Sequence, residues 1–305
     1  MRVLVTGGAG FIGSHLVETY LAAGHEVWVV DDLSTGKMQN VSPHAHFIQA
    51  DIRDESVREL MVKERIEVVN HHAAQMDVRR SVADPLFDAR VNILGLLNVL
   101  EGVRLAQCQL IIFASSGGTV YGEQEVFPAT EDHPTRPISP YGVSKRTGEQ
   151  YLHFYHVEHG LAYVALRYAN VYGPRQDPHG EAGVVAIFIQ RLLAGQPITI
   201  NGDGKQTRDY VFVGDVAQAN AAALYVDYSG PINIGTAKET DVNILAAHLQ
   251  RIIPGTPDRS EYGPAKPGEQ RRSVLAWDRA ARILGWKPTT PLDEGLKRTE
   301  AFFRQ

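Results

Sequence analysis

The sequence has only one cysteine, Cys108, and no long apolar run. A single thiol cannot form an intrachain disulfide, so we expect a reducing compartment, with Cys108 itself in the core. No stretch approaches the ~20 apolar residues that a membrane-spanning helix needs. The first five residues are strand-like and show no signal-peptide features. These absences predict a cytoplasmic protein without a membrane anchor.

The sequence also lacks an excess of charge of either sign. Thirty lysine and arginine residues stand against 35 aspartate and glutamate residues, which leaves a formal net charge of -5. This balance gives no electrostatic reason to expect nucleic acid or an anionic membrane as a partner. With 44% apolar and 21% charged residues, the composition excludes a largely disordered chain, and 305 residues form one or two domains.

The 12 histidines do not have the spacing of a metal site. His71 and His72 are adjacent and would point to opposite faces of a strand. His153, His156 and His159 fit the exposed face or the C-terminal end of a helix. We therefore expect no bound metal.

Short, β-rich apolar runs alternate with helical patterns through the first half of the chain. Such nearly continuous runs are typical of parallel strands that are covered on both faces. The predicted strands are residues 3–5, 27–30, 68–69, 110–113 and 164–166, and the predicted helices between them are residues 14–23, 56–63, 90–105 and 141–159. The pattern predicts a doubly wound α/β domain with a parallel sheet, of the Rossmann type.

The pattern changes near Asn170, where glycine and proline interrupt it and shorter elements follow. We expect a Rossmann domain at residues 1–169, with a return segment near residues 211–235. Residues 170–305 are expected to form a smaller, mixed α/β substrate-binding domain.

The first predicted strand leads into a glycine-rich segment, GGAGFIG, at residues 7–13. Small residues let the backbone turn tightly and approach a pyrophosphate, which then lies on the N-terminus of the following helix. Asp31 ends the second predicted strand, where its carboxylate can accept hydrogen bonds from the adenine ribose hydroxyls and repel a 2′-phosphate. The segment predicts NAD binding, in preference to NADP.

A second motif, SPYGVSK, occupies residues 139–145. Ser139 suits a helix N-cap and Pro140 the first helical position, so Tyr141 and Lys145 lie on one face of the helix. A phenol with a pKa of about 10 is a weak base at neutral pH. The nearby ammonium and a nicotinamide cation would stabilise the phenolate and make Tyr141 a proton acceptor.

Several further motifs accompany these two along the chain. They include HAAQ at residues 72–75, SSGGTVYG at 115–122, RYANVYGP at 167–174, RDY at 208–210 and GWKP at 285–288. With these motifs, the chain resembles the extended short-chain dehydrogenases/reductases of the nucleotide-sugar epimerase group, and within it the bacterial UDP-glucose (UDP-galactose) 4-epimerases. The resemblance covers essentially the whole length.

The resemblance implies an NAD-dependent isomerase that interconverts UDP-glucose and UDP-galactose by transient oxidation at sugar C4. It implies Ser116, Tyr141 and Lys145 as catalytic residues. It also implies a homodimer formed through helices 90–105 and 141–159. The residues implied to bind or border the cofactor are Gly7, Gly10, Phe11, Ile12, Gly13, Asp31, Asp32, Asp51, Ile52, His72, Ala73, Ala74, Gln75, Asn92, Ser115, Tyr141, Lys145 and Tyr168. Those implied to contact the UDP-sugar are Ser116, Tyr141, Asn170, Arg208 and Lys266.

Two departures from the family pattern bear on these assignments. The serine segment has two glycines, Gly117 and Gly118, so counting back from Tyr121 gives Gly117, whereas counting forward from Phe113 gives Ser116. We choose Ser116 because a strand fixes the register. Lys266 stands where the family often has arginine, and lysine cannot grip a phosphate bidentately.

Related activities remain as alternatives. A 4,6-dehydratase would carry an Asp-Glu pair where Gly117 and Gly118 stand. A 3,5-epimerase would use a cysteine near the sugar, whereas Cys108 precedes a strand. UDP-glucuronate decarboxylation or 4-epimerisation stays open, because selectivity for an acidic sugar lies in loops. A non-catalytic NAD-binding regulator is the alternative from another class, and the intact Ser116, Tyr141 and Lys145 count against it.

Overall fold

The computed structural model describes residues 1–178, 183–255, 260–265 and 270–305. Its strands are β1 Arg2–Thr6, β2 Glu26–Asp31, β3 His46–Gln49, β4 Val68–His71, β5 Leu110–Ser116, β6 Ala162–Tyr168, β7 Asn170–Tyr172, β8 Thr199–Asn201, β9 Thr207–Arg208, β10 Tyr210–Phe212, β11 Gly230–Ile234, β12 Thr240–Asp241 and β13 Glu261–Gly263.

Its helices are α1 Phe11–Ala22, α2 Glu55–Lys63, α3 Val78–Ala83, α4 Pro85–Ala89, α5 Gly95–Leu105, α6 Gly117–Val120, α7 Pro140–His159, α8 Val184–Leu193, α9 Val213–Ala223, α10 Val242–Ile252, α11 Asp278–Leu284 and α12 Leu292–Phe303. A short 3₁₀ turn covers Met38–Asn40, and a π-helical turn at Arg90–Leu94 joins α4 to α5.

A seven-stranded parallel sheet forms the centre of the molecule, in the order β11-β6-β5-β4-β1-β2-β3. The strand order reverses between β1 and β4, which is where doubly wound sheets bind their ligands. One apolar cluster packs α1 and α9 on one face, and another packs α2, α5 and α7 on the other. The predicted Rossmann-type fold is confirmed.

The strands extend further than the apolar runs indicated. Strand β5 continues to Ser116 and β6 to Tyr168, so polar residues stand at the carboxyl ends of both. Strand β3 was not predicted at all, because its apolar run is only two residues long and its side chains are partly or fully exposed at the edge of the sheet. The predicted helix at 90–105 begins earlier, at Pro85, and includes the π-helical turn.

Beyond residue 169, short two-stranded pairings replace the large sheet: β7 with β10, β9 with β12 and β8 with β13. A third apolar cluster joins α8, α10 and α12 to these strands. Strand β11 returns to the central sheet beside β6. The division into domains at residues 169 and 170 stays a prediction, which this separate cluster supports. Among the described residues, no helix is both long enough and apolar enough to cross a membrane.

Candidate active site

The glycine-rich segment forms a tight turn between β1 and α1. Gly7 has a φ of 72°, in the left-handed region that favours glycine, and a Cβ there would lie 2.6 Å from the Ala73 nitrogen. A Cβ on Gly13 would lie 2.1 Å from the Gly7 carbonyl oxygen. Helix α1 begins at Phe11, without a side-chain cap at Gly10 or an acidic residue in its first turn. Its N-terminal N–H groups can therefore bind an anion.

Asp31 lies beside this turn and is buried at the end of β2. Its Oδ2 accepts the Ala9 N–H at 3.0 Å, and its Oδ1 accepts the Leu33 N–H at 2.9 Å. Burial raises the pKa of Asp31, and these two N–H groups oppose the rise. A carboxylate can accept about four hydrogen bonds, so each oxygen keeps capacity for a ribose hydroxyl. Asp32 is exposed and caps its own turn by accepting from Ser34.

Asp51 and Ile52, which the resemblance places beside the cofactor, both contact other residues of the protein. The Asp51 carboxylate accepts from the Arg53 guanidinium, with Oδ1 at 2.8 Å from Nε. This hydrogen bond to Arg53 lowers the pKa of Asp51 despite partial burial. Ile52 is buried against Gly95, where a Cβ would lie 2.6 Å from Ile52 Cδ1.

The HAAQ segment follows β4 and lies against the glycine turn. The Ala73 N–H donates to Thr6 Oγ1 at 3.2 Å. Next to Ala73, Ala74 is half-buried. His72 Nε2 lies 3.0 Å from the Tyr168 hydroxyl, whereas its buried Nδ1 has no hydrogen-bond partner among the described residues. Burial lowers the pKa of His72 to about 3, and Lys145 lowers it further, so the imidazole is neutral.

Gln75 and Asn92 lock the end of this segment in place. The Asn92 amide accepts the Gln75 N–H at 2.9 Å and donates to the Gln75 carbonyl at 2.8 Å. Asn92 therefore positions the backbone of the segment, and it lies in the π-helical turn, a feature that often marks functional sites. Tyr168 is buried and also contacts Asn220, with the Asn220 Nδ2 2.9 Å from its hydroxyl.

Helix α7 carries the predicted catalytic pair. Ser139 caps it by accepting the Gly142 N–H at 3.2 Å, and Pro140 occupies the first turn, as predicted. The Tyr141 N–H donates to Ser81 of α3 at 3.2 Å. Lys145 is buried, with its Nζ 5.7 Å from the Tyr141 ring centroid and 4.9 Å from that of Phe113.

Burial shifts the pKa values of both residues of this pair. Burial raises the pKa of Tyr141 above its usual range, and Asp88 raises it further. Burial lowers the pKa of Lys145 to about 8, against the opposing effect of Asp88. The predicted fall in the pKa of Tyr141 relied on Lys145 and the nicotinamide cation together, and it stays a prediction, because burial and Asp88 both raise this pKa in the protein alone.

The structure separates the two serines at the end of β5. Ser115 is buried, and its hydroxyl donates to Glu149 Oε1 of α7 at 2.7 Å. The hydroxyl proton of Ser115 is therefore used within the protein. Ser116 is half-buried and opens α6, and α6 packs against the first turn of α7. A Cβ built on Gly118 would lie 3.9 Å from both Ser116 Oγ and Asn170 Oδ1. Ser116 and Asn170 thus flank the space above Gly118.

The remaining substrate assignments lie on the short strands. The Asn170 N–H donates to the Asp209 carbonyl at 2.9 Å, and Asn170 pairs with Tyr210 in the β7–β10 register. Arg208 precedes the buried Asp209, whose carboxylate accepts from Thr236 and Leu275. Burial raises the pKa of Asp209 to about 6, although these donors oppose the rise. Lys266 lies outside the described residues.

Sequence reasoning missed three residues beside the catalytic pair. Ser81 holds the Tyr141 backbone, while Asp88 and Ser144 are hydrogen-bonded to each other. The only sequence signal for Ser144 is its position directly before Lys145 in the SPYGVSK motif. Asp88 stands in no motif. In the described part of the chain, no group of three or more His, Cys, Asp or Glu side chains has the arrangement of a metal site.

These residues fit a dinucleotide. The glycine turn admits a close backbone approach, the start of α1 offers uncapped N–H groups, and the buried Asp31 keeps acceptor capacity. The unpartnered Nδ1 of His72 offers a further polar contact beside the turn. Gly7, Gly10, Phe11, Ile12 and Gly13 would hold the pyrophosphate, and Asp31 the adenine ribose.

A protein-family model agrees with this geometry. Residues 3–235 match the NAD dependent epimerase/dehydratase family. The chain belongs to this family. NAD is thus its cofactor, and the sequence-based family prediction is confirmed.

Full-length relatives extend the match. A UDP-glucose 4-epimerase of Mycolicibacterium smegmatis is 46% identical, with 100% of this chain and 99% of the relative covered. A UDP-glucuronic acid decarboxylase 1 of Xenopus tropicalis is 31% identical, with 100% of this chain and 72% of the relative covered.

Two crystal structures of bacterial UDP-glucose 4-epimerases have the same fold. That of Thermotoga maritima with UDP-glucose superposes with a TM-score of 0.98 at 47% identity, covering 100% and 99% of the two chains. That of Thermus thermophilus in complex with NAD superposes with a TM-score of 0.94 at 46% identity, with the same coverage.

Proposed function

We propose that this member of the NAD dependent epimerase/dehydratase family is an isomerase that interconverts UDP-glucose and UDP-galactose. The observation that carries the proposal is the placement of Tyr141 and Lys145 on one face of α7, with Ser116 at the start of α6 and only glycine at positions 117 and 118. The two crystal structures and the 46% identical relative support the same activity.

In the proposed mechanism, NAD, when bound, supplies reversible hydride acceptance from sugar C4. Tyr141 takes the proton of the C4 hydroxyl, and Ser116 hydrogen-bonds the same oxygen. The Lys145 ammonium stabilises the phenolate electrostatically and helps to hold the cofactor. Because burial raises the pKa of Tyr141, this chain's own residues do not suffice to form the phenolate, and a bound oxidised cofactor would supply positive charge that favours it.

Epimerisation requires the ketone to turn over without leaving the site. Asn170 and Arg208 are proposed to hold the diphosphate during this rotation, so that binding energy in the nucleotide retains a reactive intermediate. Gly118 lies between Ser116 and Asn170, since a Cβ there would be 3.9 Å from a side-chain oxygen of each. Neither Gly117 nor Gly118 offers a group to deprotonate C5, which counts against a dehydratase.

The proposal is tested with UDP-galactose that carries deuterium at C4. The expected product is UDP-glucose that keeps its label, because the same hydrogen returns to the sugar. In heavy water, unlabelled substrate should acquire no deuterium at C5. A 4-keto-6-deoxy product would assign the protein to the dehydratases instead.

UDP-glucuronate decarboxylation is the second candidate, favoured by the 31% identical decarboxylase relative. Separate incubations with UDP-glucose, UDP-N-acetylglucosamine and UDP-glucuronate, followed by chromatography, distinguish the candidates. Loss of carbon dioxide from UDP-glucuronate would favour the decarboxylase, and a 4-epimer of it a glucuronate epimerase. Failure with every nucleotide sugar, despite bound NAD, would favour a non-catalytic NAD-binding regulator.

We also propose a cytoplasmic homodimer. Apolar side chains stand exposed on the two helical segments that would pair, among them Leu94, Leu105, Phe154 and Val157. Exposed apolar groups on neighbouring helices favour burial against a second copy. Light scattering of the purified protein should give twice the chain mass, and Phe154→Glu should shift it to the monomer.

A further inference from the structure

Asp88, in helix α4, is a fully buried carboxylate to which the proposed mechanism assigns no step. It accepts hydrogen bonds from Ser144 Oγ at 2.5 Å, Asn92 Nδ2 at 2.9 Å and Gln75 Nε2 at 3.1 Å. All three donors are neutral. A buried charge that is hydrogen-bonded to neutral groups is costly, so its presence requires an explanation beyond packing.

The three donors belong to three different parts of the site. Gln75 ends the segment that lies against the glycine turn, and Asn92 stands in the π-helical turn and clamps the Gln75 backbone. Ser144 is on α7, one residue before Lys145. One carboxylate therefore ties the cofactor side of the site to the helix that carries the catalytic pair.

The electrostatic surroundings point the same way. The negative charge of Asp88 raises the pKa of Tyr141, in addition to burial. Asp88 also raises the pKa of Lys145, against the effect of burial. Lys145 in turn acts electrostatically on His71 and His72, which are adjacent at the end of β4. Burial lowers the pKa of each histidine to about 3, with Lys145 as a further cause, so both are neutral where the enzyme works. The hydrogen bond to Ser144 thus places Asp88 beside α7, and its negative charge raises the pKa of both catalytic groups.

We propose that Asp88 is a positioning residue for the Tyr141–Lys145 pair, which it holds in register with the cofactor segment while it serves as the buried counter-charge of the Lys145 ammonium. This inference rests on the proposed proton transfer by Tyr141. Asp88 touches neither substrate nor cofactor in this role. It acts through Ser144, through Asn92 and Gln75, and through its charge.

The test is the pH profile of kcat/KM for the Asp88→Asn variant of the full-length, NAD-loaded protein. The amide keeps the shape of the side chain but removes its charge. Since Asp88 raises the pKa of both Tyr141 and Lys145, both limbs of the bell-shaped profile should move to lower pH, by about one unit. A purely structural role would lower thermal stability and leave the limbs in place.

Ser144→Ala is the matched control. It removes the 2.5 Å hydrogen bond but leaves the charge of Asp88, so it should lower kcat without moving the pH profile. A profile that moves equally in both variants, or in neither, would overturn the proposal. Should Asp88→Asn not fold, Asp88→Ser replaces it, and failure of both neutral variants to fold would make Asp88 a structural residue and the proposal wrong.

A double-mutant cycle of thermal stability tests the interaction between the charges of Asp88 and Lys145 without any measurement of activity. Lys145→Met leaves Asp88 charged and uncompensated in the otherwise wild-type protein, but not in the Asp88→Asn background. Lys145→Met should therefore be less favourable to Tm, by several degrees, in the otherwise wild-type protein than in that background, and additive changes would contradict the coupling. If the wild type turns over no nucleotide sugar, the proposed function fails, whereas this cycle still tests the link between Asp88 and Lys145.

Discussion

Helix α7 contains one buried carboxylate, Glu149, and packs against another, Asp88 of α4. The two carboxylates differ in the groups that donate hydrogen bonds to them. Glu149 accepts from Arg167 Nε at 2.8 Å and from Arg167 Nη2 at 2.7 Å in a bidentate ion pair, and it also accepts from Arg146 Nη1 at 3.0 Å and from Ser115. Asp88 lies against Ser144, nearer the start of the helix, where it is hydrogen-bonded to neutral groups and its charge opposes the fall in the pKa of Lys145. Glu149 and Arg167 thus form a closed structural pair, whereas the charge of Asp88 acts on the pKa values of Tyr141 and Lys145.

The largest expected effect concerns the closed pair. Glu149→Ala leaves the Arg167 guanidinium buried without its carboxylate, so the free energy of unfolding should fall by about 3–5 kcal/mol. Urea unfolding followed by circular dichroism measures this change. The Glu149→Met/Arg167→Met double variant should recover much of the loss, and a single variant as stable as the wild type would contradict the structural role.

The next effect concerns the reactive group at the other end. Tyr141→Phe keeps the ring packing but removes the proton acceptor, so turnover should fall by at least ~100-fold while NAD stays bound. The assay is product formation from UDP-galactose, with NAD released on denaturation as the check on cofactor content. Near-normal turnover of this variant would refute the proton transfer.

The third prediction uses the pKa of Lys145, which lies at about 8 in the folded protein, below its ordinary value of 10.5. Between these two pH values the unfolded chain binds a proton that the folded protein has lost. Stability due to this group therefore rises with pH in that window, by on the order of 1 kcal/mol per pH unit. Relative to Lys145→Met, the wild type should gain free energy of unfolding from pH 8 to 10.

The control for this titration is Lys63→Met, because the Lys63 side chain is 81% exposed. Its stability should follow the wild-type curve across the window. A difference between wild type and Lys145→Met that is flat from pH 8 to 10 would show that burial does not shift the pKa of Lys145.

The smallest effects distinguish the adjacent serines. Ser116→Ala should slow turnover about tenfold, the value of one lost hydrogen bond at the reacting oxygen, with little change in stability. Ser115→Ala should leave turnover unchanged and cost about 1 kcal/mol of stability, because its hydroxyl donates to Glu149. If Ser115→Ala slowed turnover and Ser116→Ala lowered only stability, Ser115 would be the catalytic serine.

The elements that the sequence predicted are those with strong local signals. The glycine turn, Asp31 at the end of β2 and the capped start of α7 each depend on backbone chemistry within a few residues. Strand β3 was missed because its side chains are partly exposed at the sheet edge and its apolar run is only two residues long.

Asp88 could not be predicted for a different reason. A lone aspartate near a helix start is usually a solvent-exposed cap, as Asp84 is in this protein, where it accepts the Phe87 N–H at 2.9 Å. Whether such a carboxylate is buried depends on contacts with Ser144 and Gln75, which lie far from it in sequence or on another element. The hydrogen bond from Ser115 to Glu149 likewise could not be predicted, because the two residues are 34 positions apart in the sequence.

The π-helical turn at Arg90–Leu94 sets the rotational phase of the helix that follows it. Hydrogen bonds in such a turn span one residue more than in an α-helix, so every residue after the turn is rotated relative to an uninterrupted α-helix. This allows Asn92 to point inward to Gln75 while Leu94 and Leu105 are exposed. Because the wide turn accommodates one extra residue, deletion of one residue within 90–94 should restore uniform α-helical winding, leave the outward face of α5 nearly unchanged and remove the inward position of Asn92. The wide turn thus lets one helical segment hold the Gln75 backbone on its inner side and keep Leu94 and Leu105 on its outer side.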